Sequence, residues 1–228
     1  MAESLWTDSD IELSGFGTLG LISTDSKFYG YRRDISQADG AFEHEFDFNS
    51  VSVLGLQLNA NINNTFDTVY QSVYRDQNDT SFDSITSMAF FRYSPNAAWS
   101  VRLGRTPIDL FLLSEYRDIG FAYTWAQAPS EVYGMIPYRH LDGLDITNST
   151  QFSDLTLRSK IYTGKSKSDI SAVDFTEEIK IDNIYGVSLA LEAMDWTINA
   201  RYTDVQVAQN TSLQQSLSQG ISQIPDAV

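Results

Sequence analysis

Six basic residues recur on short stretches of alternating polarity: Arg92, Arg102, Arg105, Arg158, Lys160 and Arg201. A second set of charges, Asp109, Glu115, Arg117, Asp118, Glu131 and Arg139, is crowded into one connecting segment. Carboxylates at such spacing, Asp109 with Glu115 or Asp118 with Glu131, could do acid–base work. Set opposite a row of cations, they would instead shape a field that orients charged solutes, and that is the reading preferred here. Other chemistries are poorly supplied. The absence of cysteine excludes thiolate metal sites, a thiol nucleophile and disulfides. Two histidines leave little for zinc binding or a histidine base. Glu43-His44-Glu45 are consecutive, so they cannot converge on one ion from a strand, and Asp76, Asp79 and Asp83 read as solvated loop charge rather than a calcium site. Gly15-Phe16-Gly17-Thr18-Leu19-Gly20 has the dinucleotide spacing, yet no helical period follows it. No serine stands in a nucleophile-elbow pattern. We therefore expect no catalytic residue, no metal and no cofactor.

The elements that must carry these charges are strands. Helical periodicity is nearly absent, whereas period-two alternation recurs. In 54–63, Leu54, Leu56, Leu58, Ala60 and Ile62 share one face, opposite Gly55, Gln57, Asn59, Asn61 and Asn63. Similar runs cover 155–164, 184–192 and 196–203. With weaker runs included, the alternation predicts about nine strands, near 11–24, 51–63, 66–75, 84–94, 98–105, 143–150, 154–164, 183–193 and 196–206. Tight links at 63–65, 94–97, 150–153 and 194–195 alternate with longer segments at 25–50, 76–83, 106–142 and 165–182. Short turns on one side and long loops on the other are the pattern of an outer-membrane β-barrel. No run of apolar residues is long enough for a transmembrane helix. Met1 to Asp10 is polar and acidic, unlike a leader peptide, and the strand pattern favours a leader already removed. With 15 Lys+Arg against 30 Asp+Glu, a net charge of −15, the chain lacks the basic footprint of a nucleic-acid partner.

The faces can be oriented by cost. If the Leu, Val and Tyr faces point outward, Arg102, Arg158, Lys160 and Arg201 point inward; the reverse register puts all four into lipid. A lysine or arginine facing lipid at the midplane costs roughly 2–4 kcal/mol. Four of them rival the entire stability of a domain, about 5–15 kcal/mol. A polar face of Gln, Asn, Thr, Ser and Arg then lines a wet lumen, and Tyr93, Trp99, Tyr185, Trp196 and Tyr202 fall on the outer faces, mostly near strand ends, as headgroup girdles do. A soluble, secreted β-sheet domain that binds carbohydrate through Trp and Tyr would invert the same pattern, with its apolar face inside.

Segment 106–142 is too apolar to lie in water unpacked. Folded inward as a constriction, it would press Leu110, Phe111, Phe121 and Trp125 against the wall. Ser14-Gly15-Phe16-Gly17-Thr18-Leu19-Gly20-Leu21, Leu54-Gly55-Leu56-Gln57, Arg92-Tyr93-Ser94-Pro95 with Trp99 to Arg105, and Pro129 to Gly134 with Asp142-Gly143 resemble a family of Gram-negative outer-membrane porins, the sixteen-stranded group with dicarboxylate-type channels. The resemblance runs from about 11 to 206. It implies a trimeric, water-filled channel for small, often anionic, solutes, with basic residues at the eyelet; by position these are Arg92, Arg102 and Arg105. Two departures stand out. The strands stop near the ninth, and Pro225-Asp226-Ala227-Val228 is not a terminal aromatic strand.

The expectation is therefore an all-β, antiparallel, porin-like transmembrane barrel, present as its front part. It comprises an N-terminal segment over 1–10, barrel strands over 11–206 with the inward loop 106–142, and a loop or tail over 207–228. Its partners would be membrane lipid and small anionic solutes, with a homotrimer where the barrel is complete, and its place the cell outer membrane. Its pore wall would carry Arg92, Arg102, Arg105, Arg158, Lys160 and Arg201, and its constriction Asp109, Glu115, Arg117, Asp118, Glu131 and Arg139. It would not be an enzyme.

Overall fold

A computed structural model describes residues 3–8, 10–37, 40–125, 127–172 and 175–208. The strands are β1 (Glu3–Asp8), β2 (Ile11–Thr18), β3 (Val53–Asn61), β4 (Phe66–Arg75) and β5 (Thr86–Asn96), followed by β6 (Trp99–Pro107), β7 (His140–Phe152), β8 (Leu155–Ala172), β9 (Phe175–Glu192) and β10 (Thr197–Val207). They form one antiparallel ten-stranded sheet in chain order. β1 and β10 share no ladder among the described residues, so the sheet is open between them. Two one-turn helices, α1 (Phe82–Ile85) and α2 (Ser130–Tyr133), sit in the connections.

Local sequence accounts for the turns. Asn63 Oδ1 accepts from the amides of Thr65 and Phe66, and Asn96 Oδ1 from those of Ala98 and Trp99. An Asx side chain closing its own turn joins neighbouring antiparallel strands at little entropic cost. At Gly104 the backbone takes φ 129°, a conformation that side chains disfavour. Its cross-strand neighbour Gly143 lies so near β8 that an added Cβ would meet the Thr163 carbonyl oxygen at 2.0 Å.

Three expectations are corrected. Glu3–Asp8, which alternation did not count, is a strand paired with β2, so the described residues hold ten strands where about nine were expected. The segment 165–182 is not a long loop: β8 and β9 continue as one ladder to Ala172↔Phe175. Lys, Asp, Glu and Ser occupy both faces there, so polarity stops alternating although the ladder does not. The predicted first strand ends at Thr18, and residues 19–24 belong to the connection that follows, held by isolated bridges such as Ile22↔Asp47 and by Gly20 N–H donating to Ser52 Oγ at 3.2 Å. The tail expected over 207–228 lies, from 209 onward, outside the described residues.

The two faces differ in kind. On one face Leu56, Val187 and Ile198 are 46%, 43% and 62% exposed, in company with Leu54, Phe91, Leu103, Ile161 and Leu189. Tyr93, Trp99, Tyr185, Trp196 and Tyr202 are exposed on it as well. The opposite face carries Gln57, Gln71, Arg75, Arg102, Asp145, Lys160, Ser188 and Arg201, and the connections 19–52 and 108–139 fold over it. Asp145, Gln71 and Lys160 are buried there. The best-packed apolar cluster is small: Ile108, Leu141, Tyr162, Ile181 and Ile184, with Leu110 and Tyr138 against it. It sits at the loop end of the polar face, where 108–110 and Tyr138 lie down on β7, β8 and β9.

Candidate functional site

The polar face is positioned by register. Arg102 of β6 stands opposite Arg92 of β5 and Asp145 of β7. Lys160 of β8 stands opposite Thr147 and Ser188, and Ser188 opposite Arg201 of β10. Side chains of paired residues point the same way, so Arg92, Arg102, Lys160 and Arg201 form a row across the face. Arg158 shares that face nearer the tight turns, and is exposed beside Glu192 at 3.7 Å. Arg105 does not join the row. It alternates with Arg102 and pairs with Ala89 and Asp142 in register, so it belongs to the apolar face's side of β6. At the loop end it reaches Asp142 at 2.7 Å and Asp83 at 2.9 Å.

The connection between β6 and β7 delivers the acids. Asp109 lies 3.1 Å from Arg201 and 3.8 Å from Lys160. Glu115 lies 3.1 Å from Arg102 and 3.6 Å from Lys160. Arg102 also forks onto both carboxylate oxygens of Asp145 through Nε, at 3.0 and 2.9 Å, and its guanidinium lies 5.2 Å from the centre of the Phe90 ring. Arg92 pairs with Asp67 at 2.9 Å. The loop acids therefore touch the wall cations directly instead of facing them across a gap. Carboxylates that contact buried guanidinium groups satisfy both, and removing one partner strands the other.

A second cluster lies toward the mouth of this face, and it joins both long connections. Arg139 donates to Asp118 at 2.6 Å and to Asp34 of the 19–52 connection. Arg75, on the polar register of β4, approaches Asp118 at 3.9 Å, and Arg33 approaches Asp34 at 3.5 Å. Arg117 spends its donors on the carbonyls of Tyr133 at 2.5 Å and Ile136 at 3.4 Å. Burial alone would raise the Asp34 and Asp118 carboxyls. Arg139 first, then Arg33 for Asp34 and Arg75 for Asp118, outweighs it and holds both well below the usual carboxylate range. Glu115 is likewise lowered, burial being overcome by Arg102 and Lys160. Burial pushes the Tyr138 phenol up to about 12. For Arg139 the burial penalty is exceeded by the pull of Asp118 and Asp34, so its charge is held more firmly than usual.

Of the constriction residues, Asp109, Glu115, Arg117, Asp118 and Arg139 meet over the polar face, whereas Glu131 is exposed in the first turn of α2. Leu110 packs as expected and Phe111 stacks edge-on against Tyr133 at 5.4 Å. Phe121 and Trp125 are instead 56% exposed. Trp125 lies against the Tyr123 ring, with centroids 6.4 Å apart, rather than against the strands. The reading missed Asp67, Arg75 and Asp145, all legible from strand parity, and Arg33 and Asp34, whose only signal is a run of three charges at Arg32-Arg33-Asp34. Among the described residues no three His, Asp or Glu side chains converge as metal ligands. Asp79 is taken up by Ser81 and Ser84, and Asp83 by Lys167 at 2.8 Å.

No family model matches the chain, and no curated protein matches it. Among solved structures, the Salmonella typhi OmpF complex with daunomycin aligns over 91% of this chain and 82% of that one, at 11% identity and a TM-score of 0.32. A likeness of that degree establishes neither a family nor an activity.

Proposed function

We propose that the chain builds the wall and constriction of a porin-type channel in an outer membrane, through which small hydrophilic, mainly anionic solutes diffuse passively. One observation carries this reading: the sheet exposes its large aliphatic and aromatic side chains over a whole face while it covers a face of ionised pairs. In water that arrangement is upside down. In a bilayer it is required, because acyl chains solvate the apolar face and the charges stay in the lumen. The soluble carbohydrate-binding alternative needs Leu56, Val187 and Ile198 packed in a dry centre, and they are exposed.

The anion preference is drawn from the mouth cluster. Four guanidinium groups, Arg33, Arg75, Arg117 and Arg139, stand around the carboxylates Asp34 and Asp118, with Asp76 as a third acid beside Arg33 and Gln37. Such a surplus raises the local concentration of anions and steers them inward. In hydrocarbon the free edges of β1 and β10 need partner strands, since unpaired backbone groups are not tolerated there.

Protein reconstituted in a planar bilayer under a salt gradient tests the proposal. The expected result is conductance with a reversal potential favouring anions, weakened in Arg33→Ala. Cation preference that persists unchanged in that variant removes the anion assignment. Protein that stays in aqueous buffer without detergent, and never conducts, removes the pore itself. Cross-linking of the reconstituted protein tests the trimer that the porin resemblance implies.

A further inference from the structure

A cleft of about 550 Å³, partly open to solvent, lies at the loop end of the sheet between the 76–84 connection, residues 137–140 and the β8–β9 extension. The first long connection helps to close it: Arg32 Nη1 donates to the Ser171 carbonyl of β8 at 2.7 Å, and Ser36 joins the lining. Three nitrogens of lining residues are buried without a hydrogen-bond partner among the described residues: Arg75 Nε, Gln77 Nε2 and His140 Nε2. Arg75 is 8% exposed, and the ion pair it makes with Asp118 is long, at 3.9 Å. His140 Nε2 stands 3.9 Å from Asp142, beyond hydrogen-bond reach. Buried polar groups in folded proteins are nearly always paired, so three orphans around one cleft call for an acceptor.

The charges around these atoms narrow the choice of acceptor. Arg139 is spent on Asp34 and Asp118, and Lys167 on Asp83 at 2.8 Å and Glu178 at 3.8 Å. Asp79 is held by Ser81 and Ser84, Asp83 also by Arg105, and Glu178 also by Lys180 at 2.8 Å. Asp169 of β8 lines the same cleft and makes no ion pair or hydrogen bond among the described residues. With these pairs subtracted, the cleft keeps one guanidinium, two further donors and one carboxylate. We propose that it binds a small zwitterion of the amino-acid class, the carboxylate on Arg75, Gln77 and His140 and the ammonium on Asp169. A plain anion would leave Asp169 unpaired beside it, and a plain cation would leave the three donors as they are. A carboxylate makes the stronger hydrogen bonds to such donors. The inference goes beyond the channel, because it concerns binding and needs no conductance.

L-alanine, propionate and ethylamine separate the two halves of the ligand. Propionate is alanine without its ammonium, and ethylamine is alanine without its carboxylate. Isothermal titration of the full chain should show L-alanine binding roughly tenfold or more tighter than either, the difference that one ion pair of about 1.4 kcal/mol makes. Asp169→Asn should bring L-alanine down to the affinity of propionate and leave propionate unchanged. Arg75→Gln should lose both. Asp169 is only partly buried, so its variant tests the proposal even where Arg75→Gln fails to fold. Equal affinity for L-alanine and propionate overturns the zwitterion, as does ethylamine binding as tightly as L-alanine, or a preference for L-alanine that persists in Asp169→Asn. Binding of none of the three means that water satisfies the orphaned donors, and overturns the site. None of these results bears on conductance, so the pore reading stands or falls separately.

Discussion

Arg102 shows how a single side chain can hold two elements in place. Its fork onto Asp145 spans β6 and β7, and its Nη2 reaches Glu115 on the inward segment. Asp145 is 1% exposed, so it depends on that partner. Removing one member of a buried pair costs about 3–5 kcal/mol, because the other is left charged and desolvated. Arg102→Ala should therefore lower the unfolding free energy of the protein in detergent by roughly that amount, read from its denaturant curve. Arg158→Ala, beside Glu192 and mostly solvated, should change it little. A comparable drop for both variants would show that burial is not what makes the Arg102 pair matter.

Asp34 and Asp118 make the acid behaviour of the mouth predictable. Both carboxyls are depressed in the folded protein. A depressed acid stabilises the fold fully above its unfolded value, about 3.9, and the contribution is lost as pH falls from there through the folded value. Melting temperature should then be flat with respect to these two groups from pH 7 to about 5, and fall below about 4. Asp34→Asn should be less stable at neutral pH and show a shallower acid limb. A wild-type midpoint already falling between pH 7 and 5, with Asp34→Asn falling in parallel, would place the acid-sensitive group elsewhere.

At the scale of elements, the close approach of β7 to β8 is the point where composition and backbone geometry must agree. An alanine at Gly143 would put its Cβ against the Thr163 carbonyl and the Gly164 Cα, backbone atoms that no rotamer change can move. At Gly15 the nearest atoms to an added Cβ lie at 3.4 Å, ordinary contact. Overpacking of a fixed site costs about 1–3 kcal/mol. Gly143→Ala should be destabilised by roughly that much and Gly15→Ala should be near neutral, measured as heat-dependent gel mobility or denaturant midpoints. Equal effects would mean that β7 and β8 are further apart than described.

At the scale of the whole molecule, the exposed apolar face distinguishes a membrane sheet from a soluble one. Leu56 and Val187 are already open to the surroundings. In water, replacing either by lysine would cost almost nothing. Facing lipid near the midplane it costs roughly 2–4 kcal/mol. Leu56→Lys and Val187→Lys should each impair insertion into liposomes, and Gln57→Lys, on the covered polar face of the same strand, should impair it less. Unimpaired insertion of all three would remove the bilayer from the account.

Strand positions, face polarity and the Asn-closed turns were legible in the sequence, because each depends on neighbours one to three residues away. Alternation in 54–63 needs no knowledge of the rest of the chain, and Asn63 caps its own turn. The β8–β9 extension was not legible: where both faces are polar, period two leaves no trace. Glu115 could be expected to meet the wall, but the choice of Arg102 and Lys160 as its partners depends on register set over three strands, β6 to β8. The encounter of Asp34 with Arg139 joins residues 105 positions apart. No local pattern encodes such a contact, since its free energy arises only after the sheet has brought both connections over one face. The sequence by itself therefore determined an antiparallel sheet with one greasy and one charged side. Only the tertiary structure decided which charges neutralise one another, and that the first long connection crosses to the eighth strand.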